Sequence, residues 1–173
     1  MNPRSPTNPG SDTGPSRYSF TSRWHLDASR DQVWEELDAL LASDDPFVWW
    51  PGLRSRRGTD DDIHVTASSP VGYRLRFRLH DLVETPRDRV TLRSDGDLSG
   101  AATMAFAPVD AGHSTIDVTW DVEATPRWMH ATERLLRPVF VFAHDSVMRR
   151  GERALNAWLT SSAARESRRR RRR

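Results

Sequence analysis

The sequence predicts a two-layer α+β domain, in which a curved antiparallel sheet of about seven strands packs around one long C-terminal helix. Three observations carry this prediction. Apolar and polar residues alternate through several short runs in the middle of the chain, which is typical of strands with one buried face. Turn residues separate these runs at short intervals, which favours an antiparallel meander. Beyond Pro126 the apolar period becomes helical.

A strand and a helix precede the meander. Residues 17–26 alternate, and the face predicted to be buried carries Tyr18, Phe20, Trp24 and Leu26. Ser29 and Gln32 have the spacing of a capping box, so an amphipathic helix is expected to begin there. The helix should end near Ser43, because Asp44-Asp45-Pro46 follows.

The clearest strand of the meander covers residues 73–80. Its apolar face holds Tyr73, Leu75, Phe77 and Leu79, and its other face holds Arg74, Arg76, Arg78 and His80. A period-two strand cannot bury both sets, so the arginines are predicted to face solvent. Asp81 continues the inward phase, and we expect a bulge that turns it outward. Further strands are predicted from Ile63–Ala67, Val90–Leu92, Ala102–Phe106 and Ile116–Val122.

The C-terminal helix is predicted from one broad apolar stripe, formed by Leu136, Val139, Phe140, Ala143, Val147, Met148, Ala154, Leu155 and Trp158. Pro138 should mark a kink or a break between a short helix and the main one. Gly151 lies inside the stripe, where a missing side chain lets another backbone or a ligand approach closely.

Composition excludes several chemistries. The 173 residues contain no Cys, which removes disulfides, thiol nucleophiles and thiolate–metal sites. All 26 basic residues are Arg, and without a lysine neither a Schiff-base enzyme nor a P-loop is expected. The six His show no HExxH motif or close pair, so we expect no metal site and no cofactor.

Charge and composition divide the chain into a domain, residues 16–163, and two tails that are predicted to be disordered, residues 1–15 and the Arg-rich residues 164–173. The net charge is +2, but without the terminal run Arg168–Arg173 the remaining 20 basic residues are outnumbered by 24 acidic ones. We therefore expect no specific nucleic-acid partner, although the tail alone could contact anionic polymers or membranes weakly. No run is long enough for a membrane span, which favours a soluble, cytoplasmic protein. The sequence leaves the oligomeric state open.

The order of elements and several motifs resemble the START/Bet v 1-like (SRPBCC) superfamily, and within it the bacterial polyketide cyclase/dehydrase-type proteins. The resemblance covers roughly residues 18–159 and is carried by Ser29–Trp34, Trp49–Leu53, Leu75–Leu79, Gly96–Gly100, Thr119–Val122 and His144–Leu155. The segment before Trp49 departs from it, since relatives usually carry a tryptophan-proline dipeptide there. The resemblance implies a helix-grip fold, with a cavity between the sheet and the last helix for an apolar small molecule.

The implied ligand-binding residues are those with apolar or aromatic side chains on the inner faces: Trp49, Trp50, Leu75, Phe77, Met104, Trp120, Phe140 and Met148. Trp49 and Trp50 precede a Pro-Gly turn, where they either form a lid or staple the helix to the sheet. Trp24 and Trp34 are expected to belong to the core. The leading hypothesis is therefore a protein that binds a polyketide-, aromatic- or lipid-like molecule.

The alternative hypothesis is an enzyme, a polyketide cyclase or dehydratase, that acts on such a ligand in the same cavity. Its catalytic residues would be His144, as a proton shuttle, and Tyr73, as a donor to a carbonyl oxygen. His144 falls in the middle of the apolar stripe between Phe140 and Met148, so it should face the sheet. A structural role, as a hydrogen-bonded core histidine, also stays open. Asp145 is expected at the surface.

Overall fold

The computed structural model describes the backbone of residues 16–69, 72–124 and 127–171, and the side chains of residues 17–69, 72–124 and 139–165. The predicted N-terminal tail, residues 1–15, lies outside the described residues. Strands and helices follow in the order β1 (Ser16–Leu26), α1 (Arg30–Leu41), β2 (Leu53–Arg57), β3 (Ile63–Ser68), β4 (Arg74–Thr85), β5 (Arg89–Gly96), β6 (Leu98–Pro108), β7 (Ser114–Ala124) and α2 (Arg127–Arg171).

The strands form one seven-stranded antiparallel sheet in the order β1-β7-β6-β5-β4-β3-β2. Consecutive strands from β2 to β7 are neighbours, which is the predicted meander. β1 closes the other side by pairing with β7 along its whole length, from Ser16 opposite Ala124 to Leu26 opposite Ser114. With the long helix α2, this is the helix-grip architecture that the sequence predicts.

Strand β2 is the element for which the sequence carries little signal. Its five residues, Leu53–Arg57, include three arginines and a single large apolar side chain. The pairing with β3 nevertheless extends over all five, from Leu53 opposite Ala67 to Arg57 opposite Ile63. β2 is the edge of the sheet, and charged side chains are typical of edge strands because they discourage pairing with another chain.

Strand β4 confirms the predicted division between its two faces. Leu75, Phe77 and Leu79 are buried, whereas the three arginines between and before them are exposed. The pairing of β4 with β5 shifts register between His80 and Val83, and Asp81 adopts a positive φ of 51°. This irregularity turns the Asp81 side chain into solvent, as the sequence predicts.

Helix α1 begins with the predicted capping box. The Gln32 backbone N–H donates to Ser29 Oγ (3.4 Å), and the Ser29 backbone N–H donates to Gln32 Oε1 (3.1 Å). The helix ends at Leu41, two residues before the expected end near Ser43. Its buried face consists of Val33, Trp34, Leu37 and Leu40.

Helix α2 is continuous through Pro138, so the break that the sequence allows at this residue is absent. Leu136 belongs to the predicted apolar stripe, but its side chain lies outside those described. The helix also includes residues 164–171, where the sequence analysis expects a disordered tail. The division into a domain and two tails stays a prediction. Among the described side chains, the buried face of α2 carries Phe140, Ala143, Met148, Leu155 and Leu159.

Polar contacts fasten α2 to the end of β1. Glu152 Oε1 accepts from the His25 backbone N–H (2.8 Å). Asn156 both accepts from the Asp27 backbone N–H (2.9 Å) and donates to the His25 carbonyl oxygen (2.9 Å). These bonds satisfy backbone groups where the strand ends, and they fix the position of the helix over the sheet. No helix in the described part of the chain is long and apolar enough to cross a membrane.

Candidate ligand-binding site

A pocket of about 200 Å³ lies between the inner face of the sheet, α1 and α2. Its lining is almost wholly apolar and includes side chains from the strands, from the Trp49–Trp50 segment and from the last helix. All ten residues proposed from the sequence line it: Tyr73, His144, Trp49, Trp50, Leu75, Phe77, Met104, Trp120, Phe140 and Met148. Their roles in binding or catalysis stay predictions.

One wall of the pocket is an aromatic corner formed by Trp49, Trp50 and Trp24. The rings of Trp49 and Trp50 stack with centroids 5.1 Å apart, and Trp24 meets each of them edge-on at 6.3 and 5.0 Å. The Trp50 indole N–H donates to the Val147 carbonyl oxygen of α2 (3.1 Å). Trp50 therefore joins the corner to the last helix, and both tryptophans line the pocket.

Gly151 allows this contact. A Cβ atom at position 151 would fall 2.6 Å from Cζ2 and 2.8 Å from Nε1 of Trp50, well inside van der Waals distance. The sequence predicts a close approach at this glycine by a backbone or a ligand. The structure shows instead that a side chain of the aromatic corner makes the approach.

His144 faces the pocket from the middle of α2, as its position in the apolar stripe predicts. Its imidazole stacks on the Phe20 ring, with centroids 3.9 Å apart and the planes 15° from parallel. Burial lowers the pKa of His144 to about 4, an effect that the nearby Asp145 carboxylate opposes. The imidazole is therefore neutral at pH 7. Asp145 itself is exposed, as expected.

The imidazole Nε2 of His144 is buried and has no hydrogen-bond partner within the described part of the chain. A histidine with a purely structural role in a core normally has its ring nitrogens hydrogen-bonded. The interpretation of His144 as a satisfied core histidine thus loses its main support.

Tyr73 immediately precedes β4, and Ser68 and Ser69, at and just after the end of β3, also line the pocket. Its ring meets Phe140 edge-on, with centroids 5.7 Å apart. Burial raises the pKa of the Tyr73 hydroxyl, and a hydrogen bond with Ser69 opposes the rise. The hydroxyl is therefore protonated at neutral pH.

Two lining residues that the sequence analysis did not single out are acidic. Asp38 of α1 and Glu84 of β4 both line the pocket, and both side chains are largely exposed. The pKa of Glu84 is raised, first by partial burial and then by the adjacent Asp38 carboxylate. No local sequence pattern indicates this pair, because α1 and β4 come together only in the folded protein. Phe20, by contrast, lies on the face of β1 that the alternation predicts to be buried.

No arginine side chain appears in the described lining of the pocket. The three arginines of β4 point to the opposite face of the sheet. Within residues whose side chains are described, no three His, Asp or Glu side chains are grouped closely enough to hold a metal ion. The site offers an apolar surface, a neutral imidazole, a phenol and indole N–H groups.

Neither the protein-family models nor the curated proteins give a match to this sequence. Solved structures give matches at low identity. The Zhui aromatase/cyclase from Streptomyces sp. R1128 superposes with a TM-score of 0.65 at 13% identity, over 84% of this chain and 94% of that one. A START superfamily protein from Mycobacterium smegmatis gives 0.60 at 12%, over 83% and 97%.

A third similar structure is the di-domain ARO/CYC StfQ from the steffimycin biosynthetic pathway. The TM-score is 0.57 at 14% identity, over 86% of this chain and 52% of that one. The chain has an SRPBCC-type fold. Identities this low show the fold alone.

Proposed function

We propose that this protein binds a hydrophobic small molecule, polyketide-, aromatic- or lipid-like, in the pocket between the sheet and α2. The single observation that supports this most strongly is the lining. Apolar side chains from the sheet, from α1 and from α2 converge on one pocket, and the described lining contains very few polar groups. Small-molecule sites typically combine such a lining with a few placed polar groups.

The size of the pocket limits the ligand. An engineered apolar cavity of about 150 Å³ stays dry and binds benzene. The pocket here, at about 200 Å³, has room for a ligand somewhat larger than benzene without rearrangement. A molecule with several fused rings needs side chains to move, and the half-buried Phe47 beside the aromatic corner is a lining residue that can do so, whereas Trp50 is held by its hydrogen bond to α2.

The comparisons support the same proposal at a coarser level. The named structural neighbours include an aromatase/cyclase, a di-domain ARO/CYC and a START superfamily protein. They share with this chain the fold in which its pocket lies between a curved sheet and a helix. It gives no information on which ligand this chain takes.

Native mass spectrometry of the purified protein, followed by solvent extraction, tests the proposal. A bound hydrophobe should appear as an added mass that disappears under denaturing conditions. The informative variant is Ala102→Leu, because Ala102 lines the pocket and lies between Leu92 and Trp120 on the neighbouring strands. Ala101→Leu is the matched control, because the adjacent Ala101 is exposed on the other face. Loss of the added mass in Ala102→Leu but not in Ala101→Leu supports the proposal. Equal retention in both variants argues against it.

A second candidate function, catalysis as a polyketide cyclase or dehydratase, is favoured by one observation: an imidazole that is neutral at pH 7 faces the same pocket as a phenol. A neutral His144 could take up a proton from an acidic C–H group beside a ketone, while Tyr73 donates a hydrogen bond to the carbonyl oxygen.

Kinetics with a poly-β-ketone substrate analogue separate the two functions. If the protein is an enzyme, His144→Ala should lower turnover by about 100-fold or more, in line with the contribution of a general acid–base group, and should lower affinity far less. If turnover and affinity fall together in the variant, or if the wild-type protein shows no turnover, only the binding function is supported.

A further inference from the structure

Two buried nitrogen atoms, one on the sheet and one on the last helix, have no hydrogen-bond partner in the described part of the chain. Trp120 Nε1 belongs to β7 and His144 Nε2 to α2, and neither atom has a partner among the described residues. Both side chains line the pocket, and their ring centroids are 6.5 Å apart. An oxygen atom that bonds both nitrogens has to lie between the two rings, about 2.9 Å from each nitrogen, where it replaces the contacts that now cover these atoms.

Neighbouring aromatic rings hold both side chains. The Trp120 indole meets the Phe77 ring edge-on at 5.4 Å, and the His144 imidazole stacks on Phe20 at 3.9 Å. These contacts restrict rotation of the two rings. A polar group that is fixed in an apolar pocket without a partner is costly unless a ligand supplies the missing bond.

The charged side chains around the pocket determine which ligand charge is favoured. The only charged side chains in the described lining are the carboxylates of Asp38 and Glu84. The His144 imidazole is uncharged at pH 7, because burial lowers its pKa to about 4. An anionic ligand would lose its hydration here and meet no cation in the described lining, whose charged groups are both carboxylates.

We propose that Trp120 and His144 together bind the hydroxyl oxygen of an uncharged hydroxyaromatic ligand, an inference that rests on the proposed binding function. The indole N–H donates to the hydroxyl oxygen. The hydroxyl hydrogen is donated to His144 Nε2, in the tautomer that carries its hydrogen on Nδ1. This arrangement selects a phenol-type molecule over a hydrocarbon, which leaves both nitrogens unpaired, and over a carboxylate, which brings an unmatched charge.

Trp49 provides an internal control. Its indole Nε1 is also buried without a partner within the described structure, and its side chain lines the same pocket. It lies in the aromatic corner against Trp24 and Trp50. Removal of this N–H should leave recognition of the hydroxyl unchanged if Trp120 and His144 bind it.

Calorimetry at pH 7 with naphthalene, 1-naphthol and 1-naphthoate tests the inference. Wild-type protein should bind 1-naphthol about 10-fold tighter than naphthalene, as expected for two net hydrogen bonds, and should bind 1-naphthoate weakest. Trp120→Phe and His144→Phe should each reduce the preference for 1-naphthol over naphthalene to about 3-fold or less. Trp49→Phe should keep the wild-type preference.

The outcomes separate this inference from the function on which it rests. Equal affinity for naphthalene and 1-naphthol overturns the hydroxyl site but leaves a hydrophobic pocket. Loss of the preference in Trp49→Phe but not in the other two variants overturns it as well. Failure of all three compounds to bind overturns the proposed function and the hydroxyl site together. If Trp120→Phe does not fold, His144→Phe decides the matter, because a phenyl ring can keep the stacking on Phe20.

Discussion

The indole of Trp50 occupies the space that a side chain at position 151 would need, and its N–H donates to the Val147 carbonyl oxygen one helical turn earlier. This contact joins the corner after α1 to the last helix, elements that are far apart in the sequence. Because Trp50 also lines the pocket, the contact sets the position of one pocket wall. Packing at Gly151 and the shape of the pocket are thus linked.

Substitution Gly151→Ala should lower the free energy of unfolding by about 1–2 kcal/mol. Overpacking of a tight contact costs about 1–3 kcal/mol, whereas alanine in a helix gains up to about 1 kcal/mol over glycine. Urea denaturation measures the difference. Gly112→Ala is the control, since a Cβ there would meet only Asp110 Oδ1 at 3.8 Å. A Gly151→Ala protein as stable as wild type would contradict the close packing.

Because His144 is buried in its neutral form, the protein should become less stable as the pH falls from about 6.5 to about 4. The pKa of His144 is lower in the folded state than the usual 6.5, so within this window the unfolded chain binds a proton that the folded chain does not. The stability contributed by the neutral imidazole is fully present above about pH 6.5, and about 3 kcal/mol of it is lost by about pH 4.

The pH dependence is measured as the difference in unfolding free energy between wild type and His144→Phe across that range. The difference removes the contribution of carboxylates such as Asp117, whose pKa is lowered mainly by its hydrogen bond with Arg23. Wild type should lose stability faster than the variant on acidification. Parallel curves would show that His144 does not carry the effect.

Substitution Phe20→Ala should raise the pKa of His144 by about one unit. The Phe20 ring covers one face of the imidazole, and its removal admits water that stabilises the charged form. Titration of the imidazole signals by NMR measures the shift. Phe142→Ala is the control, because Phe142 is exposed on the same helix and does not cover the imidazole. An unchanged pKa in Phe20→Ala would mean that other neighbours keep His144 dry.

Periodicity predicts the parts of this fold in which one face is buried. Alternation identifies the inner faces of β1, β4 and β7, and the helical stripe places His144 against the sheet. These patterns depend on local geometry, so they are visible in a single sequence. Strand β2 gives no such pattern, because an edge strand with three arginines buries too little to show a period.

The remaining features depend on contacts between distant segments. The Asp38–Glu84 pair and the Trp50–Gly151 contact each join elements whose approach is set by the whole sheet and helix. The sequence predicts a close approach at Gly151 but not its partner. Likewise, the inner position of Trp120 follows from alternation, whereas its position across from His144 requires the structure.

The most direct test of a ligand site between the sheet and the last helix is a calorimetric titration of the wild-type, Ala102→Leu and Ala101→Leu proteins with naphthalene, an uncharged apolar probe somewhat larger than benzene. The added leucine side chain should fill part of the pocket at position 102 and point into solvent at position 101. We expect saturable binding of one probe per chain by the wild type and Ala101→Leu, and about 10-fold weaker binding by Ala102→Leu. Equal binding by all three proteins, or no saturable binding by any, would contradict a ligand site between the sheet and the last helix.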